Sequence, residues 1–206
     1  ARIFELAGLP AGLLHVLPGG AEAGEALTLD ENIASIQFTG STQVGRMVGA
    51  NAGKTLKKVS LELGGKNSLI ILDDADIERA AENIVWGAFL HSGQICMTSG
   101  KILVQEAIYE RLKARVTEKT RQLVVGNPAQ ENVTIGPLID EKQCRRVAGL
   151  VQAAVTHGAR LETGGDAQGV FFRPAVLSGV SKNNPVFHEE IFGPVAVLIP
   201  FADDAE

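Results

Sequence analysis

Residues 68–105 read SLIILDDADIERAAENIVWGAFLHSGQICMTSGKILVQ, and this stretch decides the fold. Ser68–Leu72 has the length and β-branching of a buried strand. Asp76 can cap a helix. Ile77, Ala80, Ala81, Ile84, Val85, Ala88 and Phe89 then recur at the three- and four-residue spacing of one helical face. The pattern ends near His91-Ser92-Gly93, and Lys101–Gln105 reads as a second strand. Two strands joined by an amphipathic helix imply parallel pairing with a crossover, so the class is α/β.

The same alternation extends outward. Towards the N-terminus, His15–Leu17 and Ala34–Phe38 read as short strands. A helix follows from Val44 to about Gly53, and Val59–Leu63 forms a strand that stops at Gly64-Gly65, the expected internal boundary. Towards the C-terminus, Ile108, Leu112, Val116 and Leu123 mark one helix. A second runs from a cap at Asp140 to Gly158. Ala175–Leu177 and Val195–Ile199 close the series as strands. The opening ARIFELAGLP reads as a helix end stopped by Gly8 and Pro10, and Asp203 or Asp204 could cap a further helix. Both ends read as cut, so a piece of a longer protein is expected.

The bulk composition narrows the chemistry. The chain has 206 residues, is 45% hydrophobic and carries a net charge of −5. That is enough for a real core, and the absence of a basic stretch excludes nucleic acid as the expected partner. No apolar run has bilayer-spanning length. Two cysteines, Cys96 and Cys144, are too few for a disulfide framework or a cysteine zinc site, so no metal and a reducing, cytoplasmic home are expected.

Cys96 stands in GQICMTSG, residues 93–100, among small and polar residues rather than in a Val/Leu/Ile core. Free cysteines are mostly inert small hydrophobes, which is the reading for Cys144 on the charged run DEKQCRRVAGL. Around Cys96, the glycines and hydroxyl residues leave backbone N–H groups able to steady a thiolate or an oxyanion. His91 is either a favourable charge at a helix end or a partner for the thiol. FTGSTQVG sets Gly40, Ser41, Thr42 and Gly45 at a strand-to-helix junction. This is either a capped turn or a cradle in which N–H groups meet a phosphate. Glu62 in VSLELGGK is either a solvated strand residue or a group at the C-terminal end of a parallel strand, where sites form. In HEEIFGPV, Glu189, Glu190 and Phe192 precede a Gly-Pro turn into a strand, and could also meet a ribose and a ring.

FTGSTQVG, LELGGK, GQIC and EEIFGPV occur in the order seen in the aldehyde dehydrogenase superfamily, with Glu62 and Cys96 separated by 34 positions (96 − 62). DDADIERA, GPLID and Gly164-Gly165 fit as well, and the chain resembles that family over essentially its whole length. The resemblance implies part of a Rossmann-type nucleotide-binding domain over 1–65, followed by an incomplete α/β catalytic domain with a parallel-type sheet over 66–206. It implies Cys96 as nucleophile and Glu62 as general base. Gly40, Ser41, Thr42 and Gly45 would lie along the pyrophosphate of NAD or NADP, and Leu63 beside the nicotinamide. Glu190 would hold the nicotinamide ribose, with Phe192 packed nearby. An asparagine that stabilises the oxyanion and a lysine that contacts the adenine ribose would lie outside this chain, so the 206 residues alone are expected to be inactive. The expected substrate is a small aldehyde. FLHSGQICMTSGK and VLPGG resemble the aromatic branch, the benzaldehyde and salicylaldehyde dehydrogenases, with Met97 as a soft apolar wall. A homo-oligomeric parent, dimer or tetramer, is also implied. The competing readings are a cysteine hydrolase or acyltransferase using Cys96 with His91, and a non-catalytic family member.

Overall fold

The computed structural model describes residues 1–203; the cap expected at Asp204 lies outside the described residues. The chain divides into two compact units, one ending at Gly64 and the other beginning at Gly65.

The first unit contains helices α1 (Arg2–Leu6), α2 (Ala21–Leu29) and α3 (Thr42–Lys54) and strands β1 (Ser35–Gly40) and β2 (Lys58–Leu63). β1 and β2 pair in parallel, with Thr39 opposite Glu62 and Gly40 opposite Leu63. α3 is the crossover between them, as the alternation predicts. His15–Leu17 is not a strand. Val16 and Leu17 are 63% and 67% exposed, and among the described residues β1 and β2 pair only with each other. A three-residue segment flanked by Pro10, Gly12 and Pro18 has no ladder to join.

The second unit is built on a five-stranded sheet. Its strands are β3 (Ser68–Ile71), β4 (Lys101–Gln105), β5 (Arg160–Thr163), β8 (Ala175–Ser178) and β9 (Val195–Phe201), in the order β3-β4-β9-β8-β5. All pairings are parallel except β5 with β8, which is antiparallel at one edge. Helices α4 (Ile77–Phe89), α5 (Glu106–Arg121), α6 (Glu141–Thr156) and α7 (Pro185–His188) accompany the sheet, and β6 (Ala167–Gln168) and β7 (Phe171–Phe172) form a small hairpin. The caps fall where the sequence puts them: Asp76 accepts from the Arg79 N–H at 2.9 Å and Asp140 from that of Gln143 at 2.7 Å.

The pleat sends alternate side chains into two cores. Ile102, Val104, Val176, Ala196 and Leu198 join α4 and α5 residues such as Ile84, Leu112 and Val116. Ala175, Leu177, Val195 and Val197 point the other way, into a cluster with Val147, Val151 and Phe172. A sheet covered on both faces explains why β8 and β9 are uninterrupted apolar runs. β3 departs from its expected burial. It is an edge strand, so only Ile71 is buried while Ile70 is 58% exposed. Leu123 lies just beyond α5 rather than on it, packed against the α4/α5 core. Among the described residues no helix is long and apolar enough to cross a membrane.

Candidate functional site

In the first unit, β1 ends at Gly40 and α3 begins two residues later. Ser41 is its N-cap, with Oγ accepting from the Val44 N–H at 3.3 Å, while the Gly45 N–H donates to the Ser41 carbonyl at 2.8 Å. Gly45 faces the end of β2: a Cβ there would sit 2.5 Å from a Leu63 methyl. Gly40, Ser41, Thr42, Gly45 and Leu63 therefore belong to one corner, where a 13-residue helix turns its N-terminus outward. Glycine lets the first turn of α3 lie flat on the strand, and the helix start favours an anion. Beside this corner lies an apolar groove of about 590 Å³ lined by Gly24, Leu27, Ile36, Phe38, Val44 and Val48. Sequence reasoning missed the wall of this groove that α2 supplies, Ala21, Gly24, Glu25, Leu27 and Thr28, because it missed α2. Glu62 stands near the end of β2 with its side chain exposed.

In the second unit, the cysteine loop follows α4 through a strained turn. His91, Ser92 and Gly93 have φ of +52°, +57° and +68°, three successive left-handed residues of which two carry side chains. The loop is tied down on every side. The Asn67 amide donates to the carbonyls of Cys96 at 2.6 Å and Thr98 at 3.1 Å. Thr98 Oγ1 donates to the Ile95 carbonyl at 2.6 Å, and the Ser99 N–H donates to Gly87 at 3.0 Å. Ser92 Oγ donates to the Gly136 carbonyl at 3.0 Å. The outcome is a fixed backbone with the Cys96 thiol exposed. Cys144 is the opposite case. It is 2% exposed on α6, and burial pushes its thiol up.

Glu190 and Phe192 reach the same place. Lys66, Cys96, Thr98, Gly100, Glu190 and Phe192 line one small cavity. Phe192 itself has φ +52°. α6 holds this segment. The Arg146 guanidinium donates to the carbonyls of Glu190 at 2.7 Å and Ile191 at 2.6 Å, and the Gln143 amide donates to that of Phe192 at 2.8 Å. Gly93 and Gly193 meet backbone to backbone, so that a Cβ on Gly93 would land on the Gly193 carbonyl. The sequence motifs GQIC and FGPV are thus two sides of one contact. Gly93→Ala combines a left-handed φ with that collision, and is expected to destabilise the chain by about 2–4 kcal/mol, read from urea unfolding midpoints.

The supporting residues Asn67, Gln143 and Arg146 were not anticipated. Asn67 at least follows the glycine pair, whereas nothing local distinguishes Arg146 from its charged neighbours. His91 has an exposed side chain. Among the described residues, no group of three or more His, Cys, Asp or Glu side chains could hold a metal. The cysteine and its cavity belong to the second unit, and the glycine corner and Glu62 to the first.

The parallel α/β units and the exposed, backbone-clamped cysteine agree with a family match over residues 1–206, described as the aldehyde dehydrogenase family. The chain belongs to that family. It is 49% identical to a vanillin dehydrogenase from an Amycolatopsis species and 47% identical to a benzaldehyde dehydrogenase [NAD(+)] from Pseudomonas putida, in each case over 98% of this chain and 41% of the relative. The structure of a Mycobacterium tuberculosis aldehyde dehydrogenase complexed with NAD+ superimposes with a TM-score of 0.96 at 41% identity, over 99% of this chain and 43% of that one. The chain therefore spans about two fifths of the length of the proteins it matches.

Proposed function

We propose that these 206 residues are the thiol-bearing part of an enzyme that oxidises an aldehyde, of the aromatic class, to its carboxylic acid with NAD or NADP. The observation that carries this reading is the convergence of an exposed, rigidly held Cys96 with Glu190 and Phe192 around one cavity. The aromatic assignment is supported by the vanillin and benzaldehyde relatives and by Met97, an exposed thioether beside the thiol.

The first unit fits a dinucleotide. Gly40, Ser41, Thr42 and Gly45 would hold the pyrophosphate at the start of α3, where the helix N-terminus favours an anion. The adjoining apolar groove suits a flat base. Leu63 would lie beside the nicotinamide, Glu190 would hold its ribose and Phe192 would pack nearby. When bound, the nicotinamide supplies the acceptor for a hydride.

The chain's own residues would do the rest. The Cys96 thiolate adds to the carbonyl carbon and forms a C–S bond and an alkoxide, which the Cys96 N–H can help to stabilise. Collapse of the alkoxide expels the hydrogen with its electron pair and leaves a thioester. Glu62 takes a proton from water as its oxygen attacks that thioester. The C–S bond then breaks, releasing the acid and returning the thiolate. We assign residues 1–65 to the nucleotide-binding domain, the remainder to the catalytic domain, and the working protein to a longer, homo-oligomeric polypeptide.

The test is aldehyde-dependent formation of reduced nicotinamide, followed by absorbance with benzaldehyde-type substrates. A complete polypeptide carrying these residues is expected to be active and the 206 residues alone to show little or no turnover. A complete polypeptide that reduced neither cofactor with any aldehyde would overturn the reading. Robust turnover by the 206 residues would overturn the division of labour.

A further inference from the structure

The cysteine loop is fastened to a second segment by a side chain that has no task in the proposed mechanism. That segment, residues 135–140, leads into α6 and is itself fixed. Ile135 and Leu138 are buried, the Leu138 N–H donates to the Val170 carbonyl at 2.8 Å, and Asp140 caps the helix. Ser92 Oγ holds the Gly136 carbonyl, and half-buried Gln94 makes the larger contact. Its Oε1 accepts from the Ile139 N–H at 2.8 Å. Its Nε2 donates to the Pro137 carbonyl at 3.3 Å and, more weakly, to the His91 carbonyl at 3.5 Å. One N–H and two carbonyls suit the two ends of a carboxamide, and they fix which end is which.

We propose that Gln94 is a positioning residue that holds the Cys96 loop in register with the segment carrying Glu190 and Phe192. The inference rests on the reading of Cys96 as the nucleophile and of Glu190 and Phe192 as the nicotinamide side. The route between them is short. Gln94 lies two positions before Cys96, and Ile139, which it holds, directly precedes the cap of α6. On that helix Gln143 grips the Phe192 carbonyl, and Arg146 those of Glu190 and Ile191. One carboxamide thus joins the thiol's loop to the helix that grips the other side of the cavity. Gly93 and Gly193 meet at a single point, about which the loop is free to turn. The bonds from Ser92 and Gln94 reach a different segment and remove that freedom. They also brace the left-handed run His91, Ser92 and Gly93, since a strained turn persists only where its surroundings over-determine it. Hydride transfer needs its atoms aligned at about 3–3.5 Å, and a misplacement of about 1 Å costs roughly 10²-fold.

The test is the rate of the first hydride transfer in the complete polypeptide, read by rapid-mixing absorbance with NAD and benzaldehyde, beside the Kd for NAD from calorimetry. Gln94→Leu removes the bracket and permits a shift smaller than 1 Å, so it is expected to slow that step about tenfold. The grips of Gln143 and Arg146 are untouched, so the Kd for NAD is expected to stay within about twofold. Gln94→Asn, whose amide falls one methylene short, is expected to slow the step to the same degree, and it serves should the leucine variant fail to fold by circular dichroism. Gln94→Glu keeps the acceptor for the Ile139 N–H, the shortest of the three bonds, and is expected to remain within about threefold of the parent. Hydrogen exchange at the Ile139 amide reads the bracket directly: protection in the parent and in Gln94→Glu, lost in Gln94→Asn. Exchange in the parent at the rate of an unstructured peptide would overturn the proposal. So would a first step that Gln94→Asn leaves unchanged, or slowing matched by an equal loss of NAD affinity, which would mark a general disturbance. Equal slowing by Glu and Asn would also overturn it, since the Ile139 bond would then carry nothing. No aldehyde-dependent hydride transfer in the parent would overturn the functional reading, and the proposal with it; transfer that the variants leave intact overturns the proposal alone.

Discussion

In the complete polypeptide, Cys96→Ala is expected to abolish formation of reduced nicotinamide, whereas Glu62→Gln is expected to leave one burst per site and lower steady turnover by about 10²–10⁴-fold. In the proposed mechanism the two residues act on different bonds. Without the sulfur there is no adduct and so no alkoxide to expel hydride, and alanine fails at the first step. Glutamine keeps the shape of Glu62 but cannot take a proton from water. Hydride leaves before water is needed, so the first turnover survives and the thioester accumulates. Rapid-mixing absorbance separates burst from steady state, and intact mass shows the acyl group on Cys96. Loss of the burst in Glu62→Gln would place the carboxylate before hydride transfer. Turnover by Cys96→Ala would remove the nucleophile assignment.

What the sequence made legible was local. The α4 helix announces itself because its cap, its apolar face and its stop all lie within Asp76–Gly93, and the coordinates return each of them. α2 escaped because AEAGEALTL buries only Thr28 and so has no strong apolar face to betray it. β5 and the β6–β7 hairpin escaped because two- to four-residue strands exist only through their partners. The parallel sheet was inferred from alternation alone. Its one antiparallel edge arises because β5 and β8 are joined through a hairpin rather than a crossover helix.

The site divided in the same way. Cys96 stands out as a candidate by its neighbours, and Glu190 and Phe192 by their turn, and the three line one cavity. Long-range contacts were not. Gly93 and Gly193 touch across 100 positions (193 − 93), and Arg146 on α6 reaches the carbonyls of Glu190 and Ile191 in a loop more than 40 positions away. Nothing in DEKQCRRVAGL says which arginine turns inward, because a charged residue on a helix is by default solvated. Lys66 was passed over for a related reason. In LELGGK it reads as a solvated end to a glycine turn, and only the fold shows its ammonium buried and, among the described residues, without a hydrogen-bond partner.

That buried charge predicts a pH-dependent stability of definite sign. Lys66 titrates at about 8 in the folded chain, against an ordinary value of 10.5, with burial as the first cause and Lys101 as the second. Between those values the unfolded state binds the proton and the folded state does not, so stability rises with pH. Below pH 8 both states are protonated and the full penalty is present; above 10.5 neither is, and it is gone. At 1.36 kcal/mol per pH unit the gap corresponds to about 3 kcal/mol. Lys66→Met keeps the length of the stem and removes the charge. It is expected to raise stability at pH 7 by up to about 3 kcal/mol and to flatten the rise between pH 8 and 10. Urea unfolding followed by circular dichroism at pH 7, 8, 9 and 10 measures both effects. A methionine variant that is less stable than the parent at pH 7 would mean that the ammonium is paired in solution.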